Sequence, residues 1–266
     1  MDLQLARRRA LVTGGSRGIG KAVARGLLAE GAQVALLARG EAALRDAVSE
    51  LGALGARVVG VRADTTSDEQ VRDAVRQAAE RLGGGIDILV NAAAEPAGYA
   101  APPQLAQIRA EYLHAEIDTK VMGYLRCARE VVPGMRERGW GRIVNISGLA
   151  ARQTGNTVGS IRNIAVAALT KNLADELGGF GIQVSAVHPG ITRTERTAAL
   201  VAARARQRGV AEALIEQEMA AANSIGHLVD AHEVADVVVF LCSPRSRAIN
   251  GDVIAAGGGA PRSIHY

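Results

Sequence analysis

Cysteine, aromatic residues and long apolar runs are all scarce in this chain of 266 residues. The two cysteines, Cys127 and Cys242, are far apart and outside any CxxC pattern, which argues against a disulfide framework or a zinc site and favours a reducing, cytoplasmic setting. No apolar run approaches the ~18 residues that a membrane helix needs, and no signal peptide opens the chain. Membrane insertion, secretion and metal binding are therefore not expected.

Basic charge is present but dispersed. The net charge of +4 comes mainly from arginines scattered along the chain, while aromatic residues make up only 3% of it. Nucleic-acid binding needs clustered charge to follow phosphates, and single strands also need aromatic platforms for their bases. Nucleic acid is therefore not expected as a partner, and a small molecule is the expected substrate.

Short apolar segments alternate with segments of helical spacing along most of the chain. ALVTGG at 10–15 predicts a strand and a glycine turn, a helix follows, and QVALLAR at 33–39 predicts the next strand. Strands joined by single helices are parallel with right-handed crossovers, and strands without alternation have both faces covered. We predict an α/β fold, a single Rossmann-type doubly wound domain over 1–266 with a seven-stranded parallel sheet flanked by helices.

One segment, residues 191–225, breaks this alternation between the sixth strand and the last long helix. It begins at the carboxyl end of a strand, where open parallel sheets bind their ligands. A substrate lid and a plain pair of surface helices both fit this segment.

A glycine motif joins the first strand to the first helix. Thr13, Gly14, Gly18 and Gly20 form T-G-x-x-x-G-x-G. Glycines at this place allow a tight turn and a close backbone approach, and the helix N-terminus offers unpaired N–H groups to a pyrophosphate. The motif predicts a dinucleotide site.

Several motifs occur in an order that resembles the short-chain dehydrogenase/reductase family from about residue 7 to residue 260. They are TGGSRGIG at 13–20, Asp64 after the third strand, NAAA at 91–94, VNIS at 144–147, HPG at 188–190 followed by Thr192, and NGDVIAAGGG near the C-terminus. The resemblance implies that Asp64 binds the adenine edge and that Asn91 lines the adenine ribose. Asp64 also fits a helix cap or a turn acid. The implied cofactor residues are Gly14, Ser16, Arg17, Gly18, Ile19, Gly20, Arg39, Asp64, Asn91, Pro189, Gly190 and Thr192.

The end of the second strand indicates which nicotinamide cofactor binds. An acid there accepts the ribose 2′-hydroxyl and repels a 2′-phosphate. Here Ala38 leaves the acid out, Arg39 brings a fork of donors, and Arg17 adds a second positive charge nearby. NADP(H) is therefore expected over NAD(H), although two solvated arginines would give the same pattern.

The resemblance also implies an Asn, Ser, Tyr, Lys tetrad in which the Tyr transfers a proton to or from the substrate oxygen. Alignment on LTKNLADEL at 169–177 puts Gly159 at the Tyr position and Asn163 at the Lys position. Alignment on VNIS puts Gly148 at the Ser position, and Lys120 falls at the Asn position. No Tyr-x-x-x-Lys occurs in the chain. We therefore expect non-canonical proton handling, because Gly and Asn have no proton to donate at a useful pKa.

Four residues are candidates for the catalytic work: Lys120, Ser147, Asn163 and Tyr99. Lys120 is hypothesised to place positive charge at the nicotinamide ribose or a substrate oxygen, with burial lowering its pKa; snorkelling to solvent is the alternative. Ser147 either contacts substrate or satisfies a backbone group. Tyr99 either folds over the site from the loop after the fourth strand or packs on the surface.

Three functions fit these features. An NADP(H)-dependent oxidoreductase is favoured, and the alternatives are a redox-neutral lyase or isomerase and a non-catalytic NADP(H)-binding subunit. The resemblance implies a homo-oligomer, a tetramer or a dimer, that packs through helices near 104–131 and 157–178. A hetero-complex with a homologous chain is the alternative assembly.

Overall fold

The structure is a computed structural model that describes residues 1–53, 55, 57–95 and 102–261. Seven parallel strands of this part of the chain form one sheet, which confirms the predicted α/β fold. The strands are β1 (Arg9–Thr13), β2 (Gln33–Ala38), β3 (Val58–Arg62), β4 (Ile88–Asn91), β5 (Gly141–Ile146), β6 (Ile182–Pro189), β7 (Thr192–Arg193), β8 (Val229–Asp230) and β9 (Val253–Ala256). The sheet has the order β3-β2-β1-β4-β5-β6-β9, and β7 pairs with β8 apart from it.

Helices connect the strands, as the alternating sequence pattern predicts. They are α1 (Gly18–Ala29), α2 (Glu41–Gly52), α3 (Asp68–Leu82), α4 (Ala110–Ile117), α5 (Gly123–Glu137), α6 (Thr157–Leu177), α7 (Thr197–Arg208), α8 (Glu212–Ala220) and α9 (Ala231–Cys242). Within the described ranges, no helix combines the length and the apolar character that a bilayer crossing would need.

Apolar side chains cover both faces of the sheet. Ala10 and Val12 of β1 pack into a cluster with α1, α2 and α9, while Leu11 between them packs into a second cluster with α3, α5 and α6. Successive side chains of a strand point to opposite faces, so a strand buried on both sides favours apolar residues at successive positions. This preference explains the uninterrupted apolar segments of the sequence.

Strand order places the site. From β1 the chain first extends the sheet through β2 and β3, and then crosses back to β4 on the other side of β1. A crevice opens at such a reversal, outside the carboxyl ends of the strands. The loops after β1, β4, β5 and β6 therefore meet at one edge of the sheet.

The helix predicted near 104–131 has different bounds and an irregular turn. Residues Leu105–Gln107 form a separate 3₁₀ turn, and a continuous helical segment runs from α4 through a π-helical turn at Asp118–Met122 into α5. Arg126 fixes this turn, since its Nη2 donates to Asp118 Oδ1 at 2.8 Å. A π turn changes the direction in which side chains leave a helix and is frequent at functional sites. Lys120 lies in the middle of it.

The segment that interrupts the alternation, 191–225, folds as β7, α7 and α8. Its helices share a small core of their own, which includes Val201, Ala205, Ile215 and Met219. This construction fits both a plain pair of surface helices and a lid. The segment lies over the carboxyl edge of the sheet, next to the crevice.

Candidate active site

A cleft of about 710 Å³ lies at the carboxyl edge of the sheet. One part of its wall is formed by the loop between β1 and α1 together with the end of β2, and we call this part the nucleotide half. The other part is formed by the π turn, the loop after β5, the first turns of α6 and the inner face of α7. We call it the substrate half.

The glycine loop of the nucleotide half is held close to the loop after β4. Gly14 has a φ of +64°, and a Cβ atom on it would lie 2.7 Å from the carbonyl oxygen of Ala92. A Cβ atom on Gly20 would lie 2.4 Å from the carbonyl oxygen of Gly14. Thr13 Oγ1 accepts the N–H groups of Ala92 and Ala93 at 3.0 and 3.1 Å. Any side chain at these glycines would therefore collide with backbone that cannot move aside.

The N-terminus of α1 holds an anion from the chain itself. The backbone N–H of Gly18 donates to Glu195 Oε2 at 2.9 Å, and Lys21 Nζ lies 2.8 Å from Glu195 Oε1. Burial alone raises the pKa of Glu195, but hydrogen bonds from Lys21 and Gly18 outweigh it and hold that pKa below its usual value. This helix terminus thus favours negative charge, as a phosphate site requires.

Most of the predicted cofactor residues lie on the cleft wall. Arg39 at the end of β2 pairs with Glu95, with 2.7 Å between Nη2 and Oε1. The predicted residues that line the cleft are Gly14, Ser16, Arg17, Gly18, Ile19, Gly20, Arg39, Pro189, Gly190 and Thr192.

Asp64 and Asn91 are not among the residues that line the cleft. The Asp64 carboxylate accepts the N–H and the hydroxyl of Thr66 at 3.0 and 2.9 Å, so it fixes the turn before α3. Asn91 is fully buried and donates to Asn145 Oδ1 at 2.9 Å. In this structure Asp64 therefore braces its own turn, and Asn91 joins β4 to β5.

Three of the four candidate catalytic residues meet in the substrate half. Lys120 Nζ donates to the carbonyl oxygen of Ser147 at 2.8 Å and to Asn163 Oδ1 at 3.0 Å. The hydroxyl of Ser147 donates to the carbonyl oxygen of Asn163 at 3.0 Å, the role of satisfying a backbone group. Tyr99 lies outside the described residues. Lys120 therefore does not snorkel to solvent: it is buried, with two oxygen acceptors and a place on the cleft wall.

Burial changes the acidity of Lys120. Removal from water lowers the pKa of its ammonium from 10.5 to about 7, the nearby Arg162 lowers it as well, and Glu116 raises it. Arg162 is ion-paired with Glu116 across α6 and α4, and both side chains are largely buried. A group with this pKa exchanges protons readily at neutral pH, which an ordinary lysine does not do.

Gly148 and Gly159 of the substrate half leave space that amide side chains occupy. A Cβ atom on Gly148 would lie 2.9 Å from Asn163 Nδ2, and one on Gly159 would lie 2.6 Å from Asn156 Nδ2. Asn156 Oδ1 accepts the N–H of Gly159 at 2.9 Å and caps α6. His188 is buried, and its Nδ1 accepts the N–H of Gly148 at 3.2 Å.

Sequence reasoning missed several contacts of the cleft. The Glu195 contact joins residues 177 positions apart, and the Arg162–Glu116 pair spans 46 positions. Tyr124 is buried below the substrate half and donates to the carbonyl oxygen of Ile146 at 2.9 Å, and burial raises its pKa far above the usual value. No local pattern indicates such contacts, because tertiary packing alone brings the partners together.

Comparison with known proteins now defines the class. A family model described as short chain dehydrogenase matches residues 8–205. The chain belongs to this family of oxidoreductases, which agrees with the sheet order and with the cleft.

Three relatives illustrate the likeness. The short-chain reductase protein NovJ of Streptomyces niveus is 34% identical over 253 residues, which cover 95% of this chain and 93% of that protein. L-sorbose reductase from Gluconobacter frateurii, solved in complex with NADPH and L-sorbose, superposes with a TM-score of 0.90 at 30% identity, covering 99% of this chain and 100% of that one. Actinorhodin polyketide ketoreductase with NADPH superposes with a TM-score of 0.88 at 32% identity, covering 97% and 98%.

Proposed function

We propose that this chain is an NADP(H)-dependent oxidoreductase that reduces a small organic molecule and uses Lys120 as its proton donor. The observation that carries the proposal is the placement of Lys120, buried at the cleft wall between two oxygen acceptors with a pKa of about 7. Membership of an oxidoreductase family supports the reaction class, and NADPH in the two solved relatives supports the cofactor.

The nucleotide half fits NADP(H). The N-terminus of α1 already accepts the Glu195 carboxylate, so it suits the pyrophosphate. Arg39 and Arg17 line the same wall, and guanidinium groups suit a 2′-phosphate. Gly14 and Gly20 carry no side chain at the points where the loop approaches other backbone most closely. When bound here, NADPH supplies a hydride.

Lys120 is suited to the accompanying proton. Its ammonium has three N–H groups, of which Ser147 and Asn163 accept two, so one remains for a substrate oxygen or carbon. After the proton is given up, the neutral amine keeps both hydrogen bonds and has a lone pair in place of the third N–H. Both protonation states therefore fit the same surroundings, and water restores the proton at the end of a cycle.

This arrangement replaces the family's tetrad in our proposal. Lys120, Gly148, Gly159 and Asn163 stand at the four positions that the sequence alignment assigns to Asn, Ser, Tyr and Lys. The Lys120–Asn163 hydrogen bond supports the assignment, because it joins two of those positions across the π turn and α6. Relative to the family's pattern, the lysine and the asparagine have exchanged places between the two helical segments. The positive charge therefore reaches the site from the opposite wall of the cleft.

Activity of a lysine variant tests the proposal. Purified protein with NADPH is screened against ketones, aldehydes, iminium compounds and activated alkenes by loss of absorbance at 340 nm. For any substrate found, we expect Lys120→Met to lower kcat by about 100-fold or more, the usual contribution of a positioned proton donor. The matched control is Lys171→Met, because Lys171 is exposed and pairs with Asp175 on the surface of α6. Equal activity of the two variants would remove Lys120 from the mechanism.

The pKa of Lys120 is measurable on its own. The chain has only three lysines, Lys21, Lys120 and Lys171, so protein labelled with ¹³C at lysine Cε gives three signals. We expect the signal that is missing in Lys120→Met to titrate near pH 7, well below the usual lysine value. NADP(H) binding without any turnover across the screen would favour the non-catalytic subunit, and turnover without change in the cofactor would favour redox-neutral chemistry.

We also propose that residues 191–225 form a lid. The Glu195 contacts with Gly18 and Lys21 support this role, because they latch the start of the segment onto the glycine loop. The separate apolar core of α7 and α8 supports movement as one body. Glu195→Gln removes the charge of the latch, and faster proteolysis within the segment without cofactor is the expected result.

Assembly is proposed from an exposed apolar face. Tyr112, Met122, Ile161 and Ile164 are all more than a third exposed, and they lie on the contiguous surface of α4, the π turn and α6. Apolar residues grouped in this way mark a protein interface. We propose a homo-oligomer through this face, a dimer or a tetramer, and expect Ile164→Asp to reduce the mass seen in light scattering after size exclusion.

A further inference from the structure

Four side chains gather at the amino edge of the sheet, on the side opposite to the cleft. Arg8 precedes β1, Trp140 precedes β5, Arg142 lies in β5, and Arg247 follows α9. The guanidinium carbons of Arg8 and Arg142 lie 3.8 and 4.7 Å from the centroid of the Trp140 ring. Arg247 is close enough to act on the charge of Arg142, as Arg8 also does. We call these four side chains the basic cluster.

The buried member of the cluster differs from another buried arginine in its partners. Within the described ranges, Arg126 and Arg142 are the arginines that are buried. Arg126 Nη2 donates to the carboxylate of Asp118 at 2.8 Å. Arg142 donates instead to two backbone carbonyl oxygens, from Nη1 to Gly141 at 2.8 Å and from Nε to Ser243 at 3.4 Å. Carbonyl groups satisfy the N–H groups of a guanidinium, but they do not neutralise its charge.

No carboxylate of the described residues forms an ion pair with the three arginines of the cluster, and none acts on the charge of Arg142. Burial is the main cause that lowers the pKa of Arg142 to about 10, and the positive charges of Arg8 and Arg247 lower it as well, while Cys242 raises it. Like charges that are held together in this way favour a negative charge between them.

The cluster is open to solvent. Arg247 is exposed and Arg8 is half-buried. Nη2 of Arg142 has no acceptor in the described part of the chain, and it is not among the enclosed polar atoms, so this end of the side chain reaches the surface. Trp140 gives the guanidinium groups of Arg8 and Arg142 a flat ring to pack on, which restricts their movement.

We propose that the basic cluster binds a doubly charged oxyanion of the phosphate type, either free or as the end group of a small ligand. Guanidinium groups match the oxygens of a phosphate with paired N–H donors, and here three of them come together with no described carboxylate among them. The site lies at the opposite edge of the sheet from the cleft, so the inference goes beyond the proposed function and does not depend on it.

Fluorescence of Trp140 measures this binding directly, because the chain has a single tryptophan. Inorganic phosphate and glycerol 3-phosphate are titrated at pH 8, where both carry two charges, and sodium chloride holds the ionic strength constant. We expect a saturable change in emission with half-saturation at or below about 1 mM, the strength of a few charge-assisted hydrogen bonds. Arg247→Gln should weaken this binding about tenfold, because it removes one of three charged donors.

The matched control is Arg72→Gln, which removes an exposed arginine from α3 and leaves the cluster intact. A change below about twofold is expected for it. Each variant is checked for an unchanged circular dichroism spectrum, so that a folding defect is not counted as lost affinity. Glycerol 3-phosphate that binds at least as tightly as the free ion would assign the site to phosphate-bearing ligands, and preference for the free ion would assign it to inorganic phosphate.

Two outcomes would overturn the proposal. One is a change in Trp140 emission that does not saturate or that chloride alone reproduces, and the other is an equal loss in Arg247→Gln and Arg72→Gln. Either outcome would leave the NADP(H) and Lys120 experiments unaffected, because those residues lie at the other edge of the sheet. Failure of the Lys120 experiments would likewise leave the fluorescence titration valid.

Discussion

The two halves of the cleft are built in different ways. The nucleotide half is built from backbone, with glycines at 14, 18 and 20 and the N-terminal amides of α1. The substrate half depends on side chains, chiefly Lys120 with its acceptor Asn163 and the ion pair of Arg162 with Glu116. A site formed by backbone tolerates substitutions only at positions other than its glycines. A site formed by side chains can accept a different functional group on the same backbone.

The same difference agrees with our proposal that one half keeps the family's motif and the other does not. Any side chain at Gly20 meets a carbonyl oxygen of the loop, and that obstacle is independent of the reaction catalysed. At Gly159 the obstacle is the end of the Asn156 side chain, which can rotate. The nucleotide half therefore requires glycine at such a position, whereas the substrate half can accept several different side chains.

The largest expected effect belongs to Gly20→Ala. The new methyl group would lie 2.4 Å from the carbonyl oxygen of Gly14, so the glycine loop must shift. We expect a loss of roughly 3 kcal/mol in the free energy of unfolding and about 100-fold weaker NADPH binding, from urea denaturation and calorimetry. The control is Gly52→Ala in α2, where the methyl group makes an ordinary contact at 3.7 Å. If Gly20→Ala behaved like that control, the backbone account of this half would fail.

The next effect concerns stability against pH. Lys120 has a pKa of about 7 in the folded chain and the usual 10.5 when unfolded, so between these values the unfolded chain binds more protons. The free energy of unfolding is therefore lowest below pH 7 and gains about 1.4 kcal/mol per pH unit above it from this group. Lys120→Met should lack that gain.

Urea denaturation of both proteins between pH 6 and pH 9 measures the difference. Comparison with the variant is needed because burial raises the pKa of the thiols Cys127 and Cys242, which weakens folding at high pH in both proteins alike. Parallel curves for the two proteins would contradict a depressed pKa of Lys120.

Most of the fold and of the nucleotide half could be predicted from the sequence, because both leave local marks. A doubly buried strand is mostly apolar, and a helix that approaches phosphate begins with glycine. Contacts between residues that are far apart in the sequence leave no local pattern, as the hydrogen bond from Gly18 to Glu195 shows. The sequence pointed to Lys120, but the π turn that carries it and the acceptors that hold it are products of packing. Asp64 is the reverse case: it belongs to a sequence motif, but its carboxylate accepts a hydrogen bond within its own turn.

Smaller effects are expected at the 2′-phosphate end of the nucleotide half. Arg39→Gln removes a charged donor and should weaken NADPH about tenfold while leaving NADH unchanged. Glu95→Gln removes the carboxylate that now pairs with Arg39 and should strengthen NADPH by a few-fold. Arg45→Gln, an exposed arginine of α2, serves as the control in the same calorimetric titrations. An equal loss of NADH and NADPH affinity in Arg39→Gln would show that the arginine does not recognise the phosphate.

The smallest effect is expected from Gly159→Ala, the counterpart of Gly20→Ala in the substrate half. The added methyl group displaces the Asn156 side chain and removes the cap of α6, which costs about 1 kcal/mol. Alanine in place of glycine within a helix returns a similar amount, so the free energy of unfolding should change by less than about 1 kcal/mol. Urea denaturation beside Gly20→Ala gives the comparison directly. A loss as large as that of Gly20→Ala would mean that the first turn of α6 is as constrained as the glycine loop. The substrate half would then have no freedom to exchange its functional groups.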